Sequence, residues 1–281
     1  FMQIPVQKIT SRTNPLVLTA ASLSERKYRE KHGLFLAEGK KLAKEALAFG
    51  APVRYVFLAE SRAEEHFPLF TGEDGHALPP EAEVFLLSDS CFEKISTEKS
   101  PEGVILAIKH LDFSEKYYKI NNVAFYREKS NAFLLLSAIR DPGNLGTILR
   151  SAGAFGISCV LLSEDCADVY HPRAVRAAMG AVFHVATRRI DDPILEVGLL
   201  RQAGRRVFAA ELRPGAKPIG AVRPCMSDVF IIGNEGHGIP AELSAACDAG
   251  VYIPIAENAE SLNAAAAAAV LLWEQSRRDE P

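Results

Sequence analysis

Hydrophobic and polar positions alternate along the chain in two regular patterns. Short, nearly continuous apolar runs such as "GLFLAEG", "AFLLLSAIR" and "DVFIIGN" are typical of buried strands. Between them lie segments whose apolar residues recur every three or four positions, which predicts amphipathic helices. Strand and helix therefore alternate through the sequence. This pattern predicts an α/β protein, with a mostly parallel sheet covered by helices on both faces in the part from Ala132 onward.

The first part of the chain predicts a smaller α/β domain over residues 1–110. One long helix is expected over "NPLVLTAASLSERKYREK", and two more over "KKLAKEALAFG" and "SDSCFEKIS". The strands expected among them are "GLFLAEG", "VRYVFLA", "EVFLLS" and "GVILAIKH". Residues 111–131, "LDFSEKYYKINNVAFYREKSN", show neither period and are expected to form a linker.

Residues 132–281 predict a second domain in which the alternation is stronger. The expected strands are "AFLLLSAIR", "SCVLLSE", "FHVATRR", "RRVFAAEL", "DVFIIGN" and "GVYIPIA". The expected helices are "LGTILRSAGAF", "HPRAVRAAMG", "DPILEVGLLRQAG", "IPAELSAAC" and "SLNAAAAAAVLLWEQSRR". Ligands of parallel sheets bind beyond the carboxyl ends of the strands. The residues that follow these strands are therefore the candidates for a functional site.

Composition narrows the class of protein. The 281 residues are 48% hydrophobic and 24% charged, which is ordinary for a globular chain of two domains. No apolar run reaches the length of a membrane span and no secretory signal opens the sequence, so we expect a cytoplasmic protein. The five cysteines are widely spaced without a C-x-x-C pair, which argues against a zinc site or a disulfide framework. We expect no metal ion.

Positive charge is concentrated near the N-terminus, although the net charge is −3. Residues 1–60 carry ten Lys and Arg against five Asp and Glu, whereas residues 61–105 carry three against ten. Two interpretations fit the cluster Arg26, Lys27, Arg29 and Lys31: a solvated helix face, or a surface that contacts the phosphates of RNA.

Three strand ends carry residues suited to a site. In "DPGNLGTILRSAG", Asn144 is expected to cap the helix, and Arg150, one turn after Gly146, is expected to reach the end of the sheet. The alternative is a well-capped helix with a surface arginine.

The second strand end is "FIIGNEGHGIP". Its glycine order, G-x-x-G-x-G, differs from the dinucleotide fingerprint, and it lacks the Lys-Ser/Thr of a phosphate-binding loop. Gly233, Gly236 and Gly238 would let a flat group such as a purine approach the main chain, and Glu235 adds an acceptor. A tight strand-to-helix turn is the alternative.

The third strand end is "VYIPIAENAESLNAAAAAAVLLWE". Ser261 is expected at a helix start with Asn263 two residues further on, where their side chains cap the helix or bind a ligand. The following six alanines allow close approach of another backbone. A buried helix of the core or of a dimer interface explains the alanines but not Asn263.

Together these stretches resemble the three signature motifs of the SpoU (TrmH) family, the 2′-O-ribose RNA methyltransferases of the SPOUT superfamily. "DPGNLGTILRSAGAFG" resembles the first motif, "IIGNEGHGI" the second and "IPIAENAESLNAAAAAAVLL" the third, in the family's order and spacing. The N-terminal third, with "FLAEGKKLAKEAL" and "STEKSPEGVILAI", is similar to the ribosomal-protein-like substrate-binding domain that many members carry.

The resemblance implies a trefoil knot in the C-terminal SPOUT domain and S-adenosylmethionine as the cofactor. The cofactor-binding positions that it implies are Gly233, Ile253, Ser261, Leu262 and Asn263. The catalytic positions that it implies are Asn144, Arg150 and Glu235. Because arginine keeps its proton at neutral pH, we expect Arg150 to orient the hydroxyl or a phosphate and to stabilise negative charge.

The implied substrate is RNA, since the acceptor is a ribose 2′-hydroxyl. The N-terminal domain favours ribosomal RNA, with transfer RNA as the alternative, and the family implies a homodimer through the C-terminal domain. A non-catalytic ribosome-assembly factor of the same fold is a second hypothesis, against which the intact Asn144, Arg150, Glu235 and Asn263 argue. A nucleotide-linked dehydrogenase is a third, which the glycine order disfavours.

Overall fold

The chain forms two compact units, each with its own sheet. The computed structural model describes residues 5–71, 77–113, 123–128, 130–234, 236–256, 258–259 and 261–277. The first unit consists of Phe1–Leu111 together with Tyr170–Phe183, and the second of Asp112–Val169 together with His184–Pro281.

Strands and helices alternate in both units. The strands are β1 (Val6–Ile9), β2 (Leu34–Glu38), β3 (Val53–Ala59), β4 (Glu83–Leu87), β5 (Val104–Lys109), β6 (Phe133–Leu136), β7 (Cys159–Ser163), β8 (Ala186–Ile190), β9 (Val207–Ala210), β10 (Lys217–Pro218), β11 (Val229–Ile232) and β12 (Ala249–Tyr252). The α-helices are α1 (Pro15–Ser22), α2 (Arg26–His32), α3 (Lys40–Ala48), α4 (Ala63–His66), α5 (Asp89–Ile95), α6 (Val123–Arg127), α7 (Pro142–Ala154), α8 (Pro172–Ala178), α9 (Pro193–Gln202), α10 (Ile219–Val222), α11 (Ala241–Ala246) and α12 (Ala264–Ser276). All ten predicted strands are confirmed.

The sheet of the first unit is mixed, in the order β1-β4-β3-β5-β2. β4 pairs in parallel with β1 and β3, whereas β5 is antiparallel to β3 and β2. Phe57, Phe92 and Ile105 are buried in its core with Val17 of α1. β1 escaped prediction because three of its four residues are exposed, so that a sheet edge leaves little apolar signal.

The predicted helix over "NPLVLTAASLSERKYREK" is wrong in its length, because the chain bends after Ser22 and forms α1 and α2. Arg29 lies at this bend and is only 2% exposed. Its Nη1 donates to the carbonyl oxygens of Leu23 and Ser24, each at 2.8 Å. These carbonyls lie just beyond the end of α1, where a helix leaves acceptors unsatisfied. Arg29 therefore supports the bend and is withdrawn from the predicted RNA surface.

The segment around α8 belongs to the first unit, although the sequence places it within residues 132–281. Tyr170 stacks on Phe35 of β2 with ring centroids 4.4 Å apart, and its hydroxyl accepts from the Leu111 amide at 2.9 Å. The helix itself packs on β2. Such packing between distant segments leaves no local signal, so a division by sequence position misses it.

The second unit contains a parallel seven-stranded sheet in the order β10-β12-β9-β11-β6-β7-β8. All four residues of both β6 and β11 are buried, which explains their unbroken apolar sequences. The mostly parallel α/β fold predicted for this part of the chain is confirmed.

Part of the predicted linker is built into the core of the second unit. In α6, Tyr126 is buried and its hydroxyl donates to Glu196. Arg205 Nε donates to the carbonyl of Tyr126 at 2.5 Å, and Arg205 Nη2 to that of Glu128 at 2.7 Å. Burial, reinforced by the Glu196 carboxylate, raises the pKa of Tyr126 above its usual range. This segment is consequently anchored by a buried cation rather than left as a polar connection.

Candidate active site

The carboxyl ends of four neighbouring strands meet at one edge of the second sheet. In the strand register, Leu136 of β6 lies opposite Ile232 of β11, Ile232 opposite Ala210 of β9, and Ala210 opposite Val251 of β12. The chain therefore leaves the sheet at the same level on all four strands, as a ligand site of a parallel sheet requires.

A cavity of about 460 Å³ lies beside the ends of β9 and β12. Its lining residues are Ala210, Glu211, Leu212, Val251, Tyr252, Ile253, Pro254, Ile255, Ser261, Leu262, Ala267 and Leu271. Three of the predicted cofactor positions, Ile253, Ser261 and Leu262, are thus brought together. Gly233 and Asn263 are not among the lining residues.

The loop after β11 folds back on itself at Gly233. A Cβ atom at this position would lie 2.5 Å from the carbonyl carbon and oxygen of Gly238, so no side chain fits. Asn234 Oδ1 accepts from the amides of Gly236 at 2.8 Å and His237 at 3.2 Å, while its Nδ2 donates to the carbonyl of Ala138 at 3.0 Å. The space at Gly233 is thus occupied by the loop's own backbone. Glu235 lies outside the described residues.

Asn263 joins the third motif to the first. It precedes α12 as the N-cap, its Oδ1 accepting from the amides of Ala265 at 2.9 Å and Ala266 at 3.3 Å. Its Nδ2 donates to Asn144 Oδ1 at 3.1 Å. The helix begins at Ala264, so the prediction of a helix start at Ser261 is wrong; Ser261 instead lies in the loop that lines the cavity.

Helix α7, which carries the first motif, is capped by Asp141 and not by Asn144. Asp141 precedes α7, and its carboxylate accepts from the amide of Asn144 at 2.9 Å. Proline follows directly at the first helical position, which favours the same helix start. The Asn144 side chain faces Asn263 instead, as described above. Arg150 is exposed on α7, and no described residue forms a hydrogen bond or ion pair with its guanidinium.

Sequence analysis missed Glu211, the acidic residue in the cavity wall. It directly follows β9, the strand between β11 and β12, and the signal was present because "FAAEL" ends a buried strand in a carboxylate.

All five cysteines are free thiols. Burial raises the pKa of Cys159 to about 12 and, with Glu211 nearby, that of Cys247 to about 12. Across the part of the chain that the structure describes, no group of three or more His, Cys, Asp or Glu is arranged to hold a metal ion. Within the same residues, every helix is too short or too polar to span a bilayer.

Two family models match this chain, one in each of the two predicted domains. The model of the SpoU rRNA Methylase family matches residues 131–273, about half of the chain, and that of the MRM3-like substrate binding domain matches residues 14–106. The chain belongs to the SpoU rRNA methylase family. The resemblance seen in the three motifs and in the N-terminal domain is thereby confirmed.

Members of the family resemble this chain over nearly its whole length. The Bacillus subtilis 23S rRNA (guanosine(2553)-2′-O)-methyltransferase RlmP is 32% identical across 95% of this chain and 98% of its own. An AdoMet-bound rRNA methyltransferase from Sinorhizobium meliloti, for which a crystal structure is known, is 28% identical in sequence to this chain. Its structure matches this one with a TM-score of 0.81 over 98% of this chain and 99% of that chain. Mitochondrial rRNA methyltransferase 3 of Xenopus tropicalis is 28% identical across 91% of this chain and 72% of its own.

Proposed function

We propose that this protein transfers a methyl group from S-adenosylmethionine to a ribose 2′-hydroxyl of structured RNA, and that this RNA is ribosomal. The observation that carries the proposal is the cavity at the ends of β9 and β12, where Ile253, Ser261 and Leu262 converge in a chain of the SpoU family. Relatives named as rRNA 2′-O-methyltransferases support the reaction and favour ribosomal over transfer RNA.

The cavity fits the cofactor in size and chemistry. Its volume of about 460 Å³ falls within the range of about 300–1,000 Å³ that is usual for small-molecule sites. Leu212, Val251, Ile253, Leu262 and Leu271 give it apolar walls suited to the faces of an adenine. When bound, S-adenosylmethionine supplies an electrophilic methyl group on a sulfonium.

The residues of the chain contribute mainly by positioning. Methyl transfer to a hydroxyl is an in-line displacement, so holding the ribose oxygen at the correct distance and angle provides much of the acceleration. The hydrogen bond between Asn263 and Asn144 fixes the start of α12 against the start of α7. This contact joins the first motif to the third, in which Ser261 and Leu262 line the cavity.

Arg150 is assigned to the RNA side of the reaction. Its guanidinium is exposed and carries a planar fork of hydrogen-bond donors, so it suits the orientation of a hydroxyl or phosphate and the stabilisation of developing negative charge. Glu235, implied in catalysis by the resemblance, stays a prediction.

Arg150→Lys keeps the charge but removes the planar fork of donors, so we expect the single-turnover rate with bound RNA to fall about tenfold or more. RNA affinity should change little. A single-turnover rate close to that of the unaltered protein would contradict the role.

RNA phosphates are proposed to bind α2 through Arg26, Lys27 and Lys31, all of them exposed. Arg26 also pairs with Glu30 at 2.7 Å, a surface ion pair that costs little to exchange for a phosphate. Replacing all three by Gln should weaken RNA binding and reduce the slope of log affinity against log salt by roughly 0.7–0.9 for each phosphate that the variant no longer binds. An unchanged slope would remove α2 from the RNA surface.

A homodimer through α12 is the proposed assembly. The helix exposes an apolar stripe of Ala266, Val270 and Trp273, whose spacing places them on one face, with Trp273 51% exposed. Sedimentation should give the mass of two chains, and Trp273→Lys should give one. The trefoil knot of the SPOUT domain and the cytoplasmic location stay predictions.

The whole proposal is tested by calorimetry with S-adenosylmethionine and by methylation of ribosomal and transfer RNA transcripts, with sites mapped as bonds that resist alkaline cleavage. We expect cofactor binding and methylation of ribosomal RNA. Methylation of transfer RNA alone would favour the transfer RNA alternative. RNA binding without cofactor binding would favour a non-catalytic assembly factor.

A further inference from the structure

Glu211 places a carboxylate in the wall of a cavity whose other described lining residues carry no formal charge. Its side chain is 15% exposed, and it is the one carboxylic acid among the lining residues that the structure describes. A carboxylate withdrawn from water keeps its charge only where donors and opposite charge replace the lost hydration. The partners of Glu211 therefore show how this charge is held.

One oxygen of the carboxylate is fixed from two sides. Glu211 Oε1 accepts from the hydroxyl of Ser244, a residue of α11 that is almost fully buried, and from Nε of Arg213 at 2.8 Å. Arg213 also donates through Nη2 to the Ser244 carbonyl at 3.4 Å. The three residues form a closed network, completed by the Ser244 carbonyl, that sets the orientation of the carboxylate.

Gly250 of β12 leaves room for this network. A Cβ atom there would lie 3.2 Å from Arg213 Nε and 3.3 Å from Glu211 Oε1, closer than side chains normally pack. Gly250 pairs with Ala209, two residues before Glu211, so the cradle is set by the register of β9 and β12.

The other oxygen, Oε2, receives no hydrogen bond from any described residue. It has lone pairs for two donors, and the residue that bears it lines the cavity. A fixed carboxylate with one saturated and one open oxygen is suited to accept from a ligand hydroxyl, because the protein has already set its orientation before the ligand arrives.

We propose that Glu211 accepts hydrogen bonds from the ribose hydroxyls of the cofactor, an inference that rests on the proposed function. A ribose offers two adjacent hydroxyl donors, and an acidic residue near the end of a parallel strand holds such hydroxyls in dinucleotide sites. The hydroxyls are favoured over the cationic end of the cofactor because Arg213 already offsets the charge of Glu211, whereas the lone pairs of Oε2 remain open.

The test compares ligands of different charge and hydroxyl content by calorimetry on the full chain. For Glu211→Gln, we expect affinity for S-adenosylmethionine and for S-adenosylhomocysteine, which lacks the sulfonium charge, to fall equally, by about 10- to 100-fold. In competition experiments, the unaltered protein should prefer adenosine to 2′,3′-dideoxyadenosine by a similar factor. The variant should lose most of that preference.

Arg213→Gln and Ser244→Ala are the matched controls, since they loosen the network but keep the carboxylate. We expect them to weaken binding less than Glu211→Gln and to retain the preference for adenosine. Thermal unfolding of each variant checks that the unit folds.

Two results would overturn the inference while leaving the proposed function intact: Glu211→Gln binding both cofactor forms as the unaltered protein does, or losing S-adenosylmethionine alone, which would assign Glu211 to the cationic end. If the unaltered protein binds neither cofactor form, the proposed function fails and this inference fails with it.

Discussion

Gly233→Ala should disrupt the loop after β11 through a clash with backbone. The added Cβ would lie 2.5 Å from the carbonyl carbon and oxygen of Gly238 and 2.7 Å from Cγ1 of Ile239. Neither neighbour is free to move, because the Gly238 amide donates to the Asn234 carbonyl at 2.8 Å and Ile239 is buried. The loop must open for the methyl group to fit.

The size of the effect follows from these distances. Carbon atoms pack at about 3.5–4.0 Å, so relief requires a displacement of roughly 1 Å. Overpacking of this kind costs about 1–3 kcal/mol. For a unit of this size, a loss of about 2 kcal/mol corresponds to a fall in Tm of about 4–8 °C. Because the same loop belongs to the second motif, we also expect S-adenosylmethionine to bind at least about tenfold more weakly.

Thermal unfolding and calorimetry with S-adenosylmethionine measure the two effects separately. Gly198→Ala is the matched control, since a Cβ at this position inside α9 meets no atom within 4 Å. Alanine favours a helix over glycine by up to about 1 kcal/mol, so this variant should be more stable and should bind the cofactor normally. If Gly233→Ala has an unchanged Tm and unchanged cofactor affinity, the reasoning from the backbone clash is refuted.

Three further predictions concern the stability of the second unit. Asp192→Ala, which removes the cap of α9, should cost about 1 kcal/mol in urea unfolding, whereas Asp192→Asn should cost less. Arg205→Met should cost about 3 kcal/mol, because it leaves the carbonyls of Tyr126 and Glu128 without their buried donor; a loss below about 1 kcal/mol would mean that water replaces the guanidinium. Burial raises the pKa of Cys159 to about 12 in the folded chain, from an ordinary value of 9.0. Because the unfolded chain loses this proton first as the pH rises, the free energy of unfolding should fall by about 1.4 kcal/mol per pH unit between the two values. Cys159→Ala should reduce the slope of stability against pH by that amount.

The fold was predictable from sequence where burial is complete. β6, β7 and β11 have no exposed face, so their apolar runs identify them without knowledge of their partners. Apolar runs do not identify a strand at the edge of a sheet, such as β1. They also do not show a bend between two helices, such as the one between α1 and α2. Arg29 illustrates the reason. The sequence alone does not distinguish a buried arginine that donates to carbonyl oxygens from a surface arginine that binds a phosphate.

The positions of the three motifs could likewise be predicted from the sequence, but the contacts between their residues could not. Asn144 and Asn263 are 119 positions apart, so their hydrogen bond leaves no local pattern in the sequence. Asn144 was predicted to cap the helix because asparagine is common at that position. Gly233 is required by the fold of the loop, because the Gly238 backbone fills the space where a side chain would lie. Its main-chain contact with the cofactor stays a prediction. Glu211, by contrast, was predictable from the sequence. Ligands bind at the carboxyl ends of parallel strands, and this holds for β9 as well as for β11 and β12. Applied to every strand that borders the cavity, the rule places an acidic residue beside the apolar walls before any contact is known.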